Sequence, residues 1–60
     1  MKWISVDPGK TNGWSYWEGT ERLDAGEDQQ MELYERIERY VEDGLEFILY
    51  ENYVLRQSSA

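Results

Sequence analysis

The sequence predicts a small α/β fold in which three strands are followed by a helix and a fourth strand. Residues 2–7 alternate in the manner of a strand, and residues 13–18 form a second, aromatic-rich strand. The hydrophobic period changes from 2 to 3.6 over residues 29–43, which indicates a helix. A nearly continuous apolar run, residues 45–50, follows directly, as is typical of a strand buried on both faces. The element order is therefore β-β-β-α-β.

The first two strands are joined by the stretch 7–13, Asp-Pro-Gly-Lys-Thr-Asn-Gly. Pro8 biases Asp7 toward extended geometry, so Asp7 should still belong to the first strand. Gly9 is expected to supply the positive φ that often follows Pro in a tight turn. Alternation divides the first strand into two faces, one with Ile4 and Val6 and the other with Trp3, Ser5 and Asp7.

A short third strand, residues 22–26, is expected at the sheet edge after a turn at residues 18–20. Asp28 is the predicted N-cap of the helix, and Gly44 is the predicted residue in left-handed conformation after its end. The acid-first spacing of four residues predicts the ion pairs Glu32–Arg36 and Glu35–Arg39 on the solvated face of the helix.

A strand, a helix and a strand with short joints predict a right-handed crossover, which lays the fourth strand parallel to the first. The strand order is then 3-2-1-4, with the fourth strand at an open edge. A buried-type strand at an edge, followed only by residues 51–60, indicates that residues 1–60 are the N-terminal fragment of a larger domain.

The composition narrows the chemistry that the chain can perform. With 60 residues there is one domain at most, and the absence of cysteine and histidine excludes disulfides, thiolate catalysis and zinc-finger sites. A net charge of −7 is the wrong sign for a free-standing nucleic-acid binder, so either the chain binds no nucleic acid or its basic surface lies in sequence outside these residues. The lack of a long apolar run or signal pattern leads us to expect a soluble, cytoplasmic protein without a membrane partner.

Two acids stand at equivalent positions in the predicted sheet, because Asp7 ends the first strand and Glu51 follows the fourth. If these strands pair in parallel, both acids lie near their carboxyl ends, and because neighbouring strands are about 4.8 Å apart the two carboxylates can approach within reach of one ion. Apposed carboxylates repel unless a cation neutralises them, and an all-oxygen site suits Mg²⁺ or Mn²⁺. Either acid taken alone is more simply a charge at a strand end.

These residues resemble a known family. Residues 3–9, Trp-Ile-Ser-Val-Asp-Pro-Gly, followed by Gly13-Trp14, are similar to the first motif of RuvC-like Holliday-junction resolvases, in particular the phage-type branch. Residues 48–54, Ile-Leu-Tyr-Glu-Asn-Tyr-Val, resemble the second motif, a hydrophobic strand that ends in a metal-binding Glu. The resemblance implies the opening part of a ribonuclease-H-like fold.

The resemblance implies a Mg²⁺-dependent endonuclease that resolves four-way junctions or other branched DNA, as a homodimer in the full-length protein of a bacterium or phage-infected host. Asp7 and Glu51 would be two of four acidic metal ligands. The other two come from a C-terminal helix that has no counterpart here, so the 60-residue chain is expected to be inactive. Lys10 and Asn12 are candidates for a DNA-phosphate contact, although exposed turn residues are the simpler interpretation of both.

Three other interpretations of the sequence compete with a nuclease. Gly9-Lys10-Thr11 is not a P-loop, because position 4 is Ile where the motif needs glycine and because a strand follows instead of a helix. The phosphate hairpin of actin-like ATPases and sugar kinases faintly resembles the spacing of Asp7, Gly9 and Thr11, but it leaves Glu51 without a role. A small acidic interaction module without enzymatic activity, whose aromatic residues form a core or an interface, remains open.

Overall fold

The computed structural model describes residues 1–51, and these residues have the predicted element order. The strands are β1 (Lys2–Asp7), β2 (Asn12–Glu18), β3 (Glu21–Asp28) and β4 (Leu45–Tyr50), and the helix α1 is Gln30–Glu42. They form one mixed sheet of order β3-β2-β1-β4, in which β1 is antiparallel to β2 and parallel to β4. The predicted strand order and parallel pairing are confirmed.

One side of the sheet packs against α1, and we call it the helix face. Its core comprises side chains from β1, β2 and α1, namely Ile4, Val6, Trp14, Tyr16 and Leu33. The alternation of β1 places its remaining side chains on the opposite side, which we call the open face. Its members on β1, on β4 and directly after β4 include Trp3, Ser5, Asp7, Phe47, Leu49 and Glu51. The helix within residues 1–51 is too short and too polar to cross a lipid bilayer.

A stack of three aromatic rings crosses the open face. The Trp3 ring lies between Trp17 and Phe47, with ring centroids 5.2 and 5.8 Å away and the planes within 8° of parallel. The Trp3 indole N–H donates to the Gly19 carbonyl at 2.9 Å, and that of Trp17 donates to the Ser15 hydroxyl at 2.8 Å. Both indoles are therefore held in place by polar contacts as well as by stacking.

The predicted helix end is confirmed, whereas the predicted N-cap is wrong. Gly44 has φ of 105° immediately after α1 and its C-cap, as a residue in left-handed conformation should. The N-cap is Gln29, whose backbone N–H donates a hydrogen bond to the Glu32 carboxylate. Asp28 instead ends β3, which runs for eight residues where a short strand was expected. Its pairing with β2 continues to Asn12, so Asp28 remains in the strand and its carboxylate pairs with Arg36 instead of capping the helix.

Two further expectations are corrected by local geometry. Gly9 has no positive φ, because the connection from β1 to β2 is a loop over residues 8–11 and not a two-residue turn. A Cβ at Gly9 would lie 3.3 Å from the Thr11 carbonyl oxygen, so close backbone approach accounts for glycine there. The apolar run of β4 is not buried on both faces. Phe47, Ile48, Leu49 and Tyr50 are 44–56% exposed, since β4 pairs only with β1 within residues 1–51.

Candidate functional site

Asp7 and Glu51 occupy neighbouring strand ends. Val6 is paired with Tyr50 in the parallel ladder, so Asp7 and Glu51 take the next position of the same register. The ladder extends that far, because the Glu51 N–H donates to the Val6 carbonyl at 2.8 Å. Alternation places both side chains on the open face. Asp7 and Glu51, the two acids predicted from the sequence as metal ligands, are thus adjacent in the sheet, about one strand spacing apart.

Ser5 connects the two strands below this pair of acids. It lies two residues before Asp7 on the same face of β1, and its hydroxyl donates to Glu51 Oε2 at 3.2 Å. Ser5 and Glu51 are half-buried, whereas Asp7 is exposed. One carboxylate is therefore oriented by its neighbour strand and the other is open to solvent. We call Ser5, Asp7 and Glu51 the strand-end site.

On the side of β2, the antiparallel neighbour of β1, there is room beside the Asp7 carboxylate. Asp7 is paired with Gly13, which has no side chain, and a Cβ there would meet nothing nearer than the Asp7 carbonyl at 4.0 Å. Gly13 is in turn paired with Glu27 on β3, whose carboxylate accepts a hydrogen bond from the Thr11 hydroxyl at 3.4 Å. The end of the open face thus carries acids on β1, on β3 and after β4, with a gap over Gly13.

Of the two proposed phosphate contacts, only one is exposed. Lys10 lies in the loop that follows Asp7 and is open to solvent. Asn12 is buried at the start of β2, and its side-chain amide donates to the Asp28 carbonyl at 3.3 Å. The expectation that Asn12 is an exposed turn residue is therefore wrong, because β2 begins one residue earlier than predicted and turns this side chain inward.

The donor set suits a hard cation. The Asp7 and Glu51 carboxylates supply oxygen donors only, and Mg²⁺ is commonly held by one or two carboxylates with water filling the remaining positions. Within residues 1–51 no group of three acidic, histidine or cysteine side chains is arranged to hold a metal. The strand-end site accordingly fits part of a magnesium coordination sphere.

Two residues at this end of the sheet were not predicted from the sequence, namely Ser5 in the strand-end site and Glu27 on β3. Ser5 was assigned to the same face as Asp7, but its bond to Glu51 depends on the register of β1 with β4, which alternation alone does not determine. Glu27 lies beyond the strand predicted over residues 22–26, whereas β3 extends to Asp28. The segment 52–54 of the second motif lies outside the described residues.

Comparisons of the chain with family models, with curated proteins and with solved structures gave no match.

Proposed function

We propose that the chain is the first part of a Mg²⁺-dependent, ribonuclease-H-like nuclease that cleaves branched DNA, with four-way junctions as the substrate class. Asp7 and Glu51 are the metal ligands contributed by this part. The observation that supports the proposal is the parallel register of β1 and β4, which brings the acids of both motifs to adjacent positions on one face.

The residues of the strand-end site have distinct roles in this proposal. Glu51 and Asp7 hold the ion, and the hydroxyl of Ser5 fixes the orientation of the Glu51 carboxylate. Gly13 leaves the space beside Asp7 open for a substrate phosphate. A bound Mg²⁺ would supply Lewis-acid polarisation of a phosphodiester and activation of water.

Charge determines what the 60-residue chain does alone. The net charge of −7 repels DNA, and Lys10 is the basic residue in the loop beside Asp7. The remaining ligands and most of the DNA-binding surface belong to further sequence in the parent protein. We therefore expect the isolated chain to bind the ion weakly and not to cleave junctions efficiently.

Metal binding can be tested without activity. Titrating Mn²⁺ into the ¹⁵N-labelled chain should broaden the amide signals of residues 5–7, 13 and 51 first, because paramagnetic relaxation falls steeply with distance. Asp7→Asn and Glu51→Gln should each abolish this selectivity, whereas Glu38→Gln, a matched change on the exposed side of α1, should retain it. Uniform broadening, or none at millimolar Mn²⁺, would contradict the metal site.

Cleavage is tested in the full-length parent protein. Asp7→Asn or Glu51→Gln should reduce Mg²⁺-dependent cleavage of a four-way junction by at least about 100-fold, the scale of losing a direct electrostatic contribution in the transition state. Junction binding in Ca²⁺ should be retained. Full cleavage by either variant would refute the assigned roles.

A further inference from the structure

The two edge strands of the sheet differ sharply in how they are protected. β3 has five charged residues among its eight and a register irregularity beside Trp17. β4, Leu-Glu-Phe-Ile-Leu-Tyr, has a single charge at Glu46. Its irregularity lies before Phe47, so the stretch from Phe47 onward is regular. Charges and bulges on edge strands prevent pairing with other chains. β3 is thus protected along its length, and β4 beyond Glu46 is not.

Within residues 1–51, the backbone of β4 presents unpaired N–H and C=O groups along this edge. The Glu51 N–H donates to β1, and successive peptide groups of a strand point to opposite sides. The N–H and C=O groups of Ile48 and Tyr50 therefore point away from β1. Both the hydrogen-bonding edge and the apolar side chains on either face of it are exposed within residues 1–51.

We propose that two copies of this 60-residue chain associate through antiparallel pairing of β4 with β4 of the second copy, centred on Leu49. The regular stretch 47–51 is symmetric about that residue. In this register Ile48 and Tyr50 of the second copy form a hydrogen-bonded pair on the helix face, and the twofold axis repeats it. Leu49 stands opposite Leu49 on the open face.

The distribution of charge favours a second copy as the occupant. A second copy of β4 offers an edge that is equally unprotected within residues 1–51, with outward-pointing N–H and C=O groups and apolar side chains beside them. Pairing centred on Leu49 places no two acids directly opposite each other, since Glu51 faces Phe47 of the second copy. The remaining acids lie outside the contact. Because each copy has a net charge of −7, the two copies repel each other, and this repulsion weakens association at low ionic strength.

A pairing of this size is weak. One strand on each side falls below the roughly 1,600 Å² of a standard interface, so we expect a dissociation constant of about 10–500 µM. Sedimentation of the chain between roughly 10 µM and 1 mM should show a monomer–dimer equilibrium that brackets this affinity. Added salt should strengthen the dimer, because it screens the repulsion between two acidic copies.

Paired leucines provide a matched test, since Leu49 and Leu23 are each 46% exposed and lie on the two opposite edge strands. Leu49→Lys places two like charges opposite each other at the twofold axis and should weaken the dimer at least about tenfold. Ile48→Lys, on the other face of β4, should do the same. Leu23→Lys makes the same change in net charge and should leave the affinity unaltered. A dimer that is lost in Leu49→Lys but kept in Ile48→Lys would use the open face, and it would overturn the proposal.

Cross-linking tests the register directly. The chain has no cysteine, so each single-cysteine variant reports on one position. Residues at a non-hydrogen-bonded antiparallel pair have Cα atoms about 4.5 Å apart, within the range of a disulfide. Leu49→Cys should therefore form a disulfide dimer under mild oxidation much faster than Leu23→Cys. Equal rates, or a chain that sediments only as a monomer at the highest concentration, would overturn the proposal.

Discussion

The Arg36 guanidinium and the Asp28 carboxylate lie 2.6 Å apart, Nε to Oδ2, and join the end of β3 to the middle of α1. Asp28 is about nine-tenths buried, and its hydrogen bond raises the pKa of Arg36. The guanidinium carbon also lies 4.1 Å from the centre of the Trp14 ring. This ion pair therefore holds α1 against the helix face of the sheet, whereas the strand-end site lies on the open face.

Removing the arginine should destabilise the fold. Arg36→Met leaves the Asp28 carboxylate buried without its partner, at a cost of about 1–3 kcal/mol in the free energy of unfolding. Urea unfolding measures this cost. Arg39→Met makes the same change at an exposed position of α1 and should cost no more than about 0.5 kcal/mol. Equal losses in the two variants would show that the ion pair contributes nothing specific.

A second polar cluster ties the end of α1 to β1 and β2. Asp43, immediately after the helix, accepts hydrogen bonds from Lys2 Nζ and the Tyr16 hydroxyl, each at 3.0 Å. Tyr16 is 3% exposed and its ring stacks on Tyr40. Burial, followed by the bond to Asp43, raises the pKa of Tyr16 to about 12.

This shift predicts a loss of stability at alkaline pH. Because the folded-state pKa lies above the unfolded value of 10.0, the contribution of Tyr16 is fully present below pH 10 and is lost as pH rises toward 12. The urea midpoint should fall over that window. Tyr16→Phe should lower the midpoint at neutral pH but flatten its decline above pH 10. Tyr34→Phe, at a half-exposed tyrosine, should keep the full decline.

The strand order was predictable from sequence because it depends on period and connection length, which are local properties. The loop before β4 is short, and a short joint leaves few topologies for a strand after a helix. The end of β3 was not predictable. Aspartate is a residue type that often caps helices, but the ion pair with Arg36 stabilises the Asp28 carboxylate more than capping would, because Arg36 is a charged partner.

The strand-end site was predictable in part for the same reason. Asp7 and Glu51 follow from strand ends and parallel pairing, whereas the bond from Ser5 depends on register. Side-chain direction at a loop boundary is equally inaccessible, and a shift of one residue in the start of β2 turned Asn12 inward. The i,i+4 rule failed for Arg36, because a buried acid from another element is a stronger partner than the exposed Glu32.

Gly26 should be required for packing and not for its backbone conformation. A Cβ there would lie 3.0 Å from the Trp14 ring, which is also in contact with the Arg36 guanidinium and the Tyr40 ring. Gly26→Ala should therefore cost about 1–3 kcal/mol in the free energy of unfolding. Gly13→Ala, in the neighbouring strand with 4.0 Å of clearance, should cost less than about 1 kcal/mol. Thermal unfolding compares the two, and a larger loss at Gly13 would contradict this account.

Ser5 offers the sharpest test of the proposed metal site, because it touches Glu51 without being a ligand in the proposal. Ser5→Ala removes the hydrogen bond that orients the Glu51 carboxylate, and it should weaken Mn²⁺ binding about tenfold, as the loss of a supporting contact typically does. Ser15→Ala is the matched control. Ser15 is paired directly with Ser5 on the same face, and its hydroxyl accepts a hydrogen bond from the Trp17 indole N–H. That variant should keep the affinity while altering Trp fluorescence. Equal affinities of Ser5→Ala and the unchanged chain, measured by Mn²⁺ relaxation at matched stability, would show that Glu51 does not bind the ion in the orientation that Ser5 imposes.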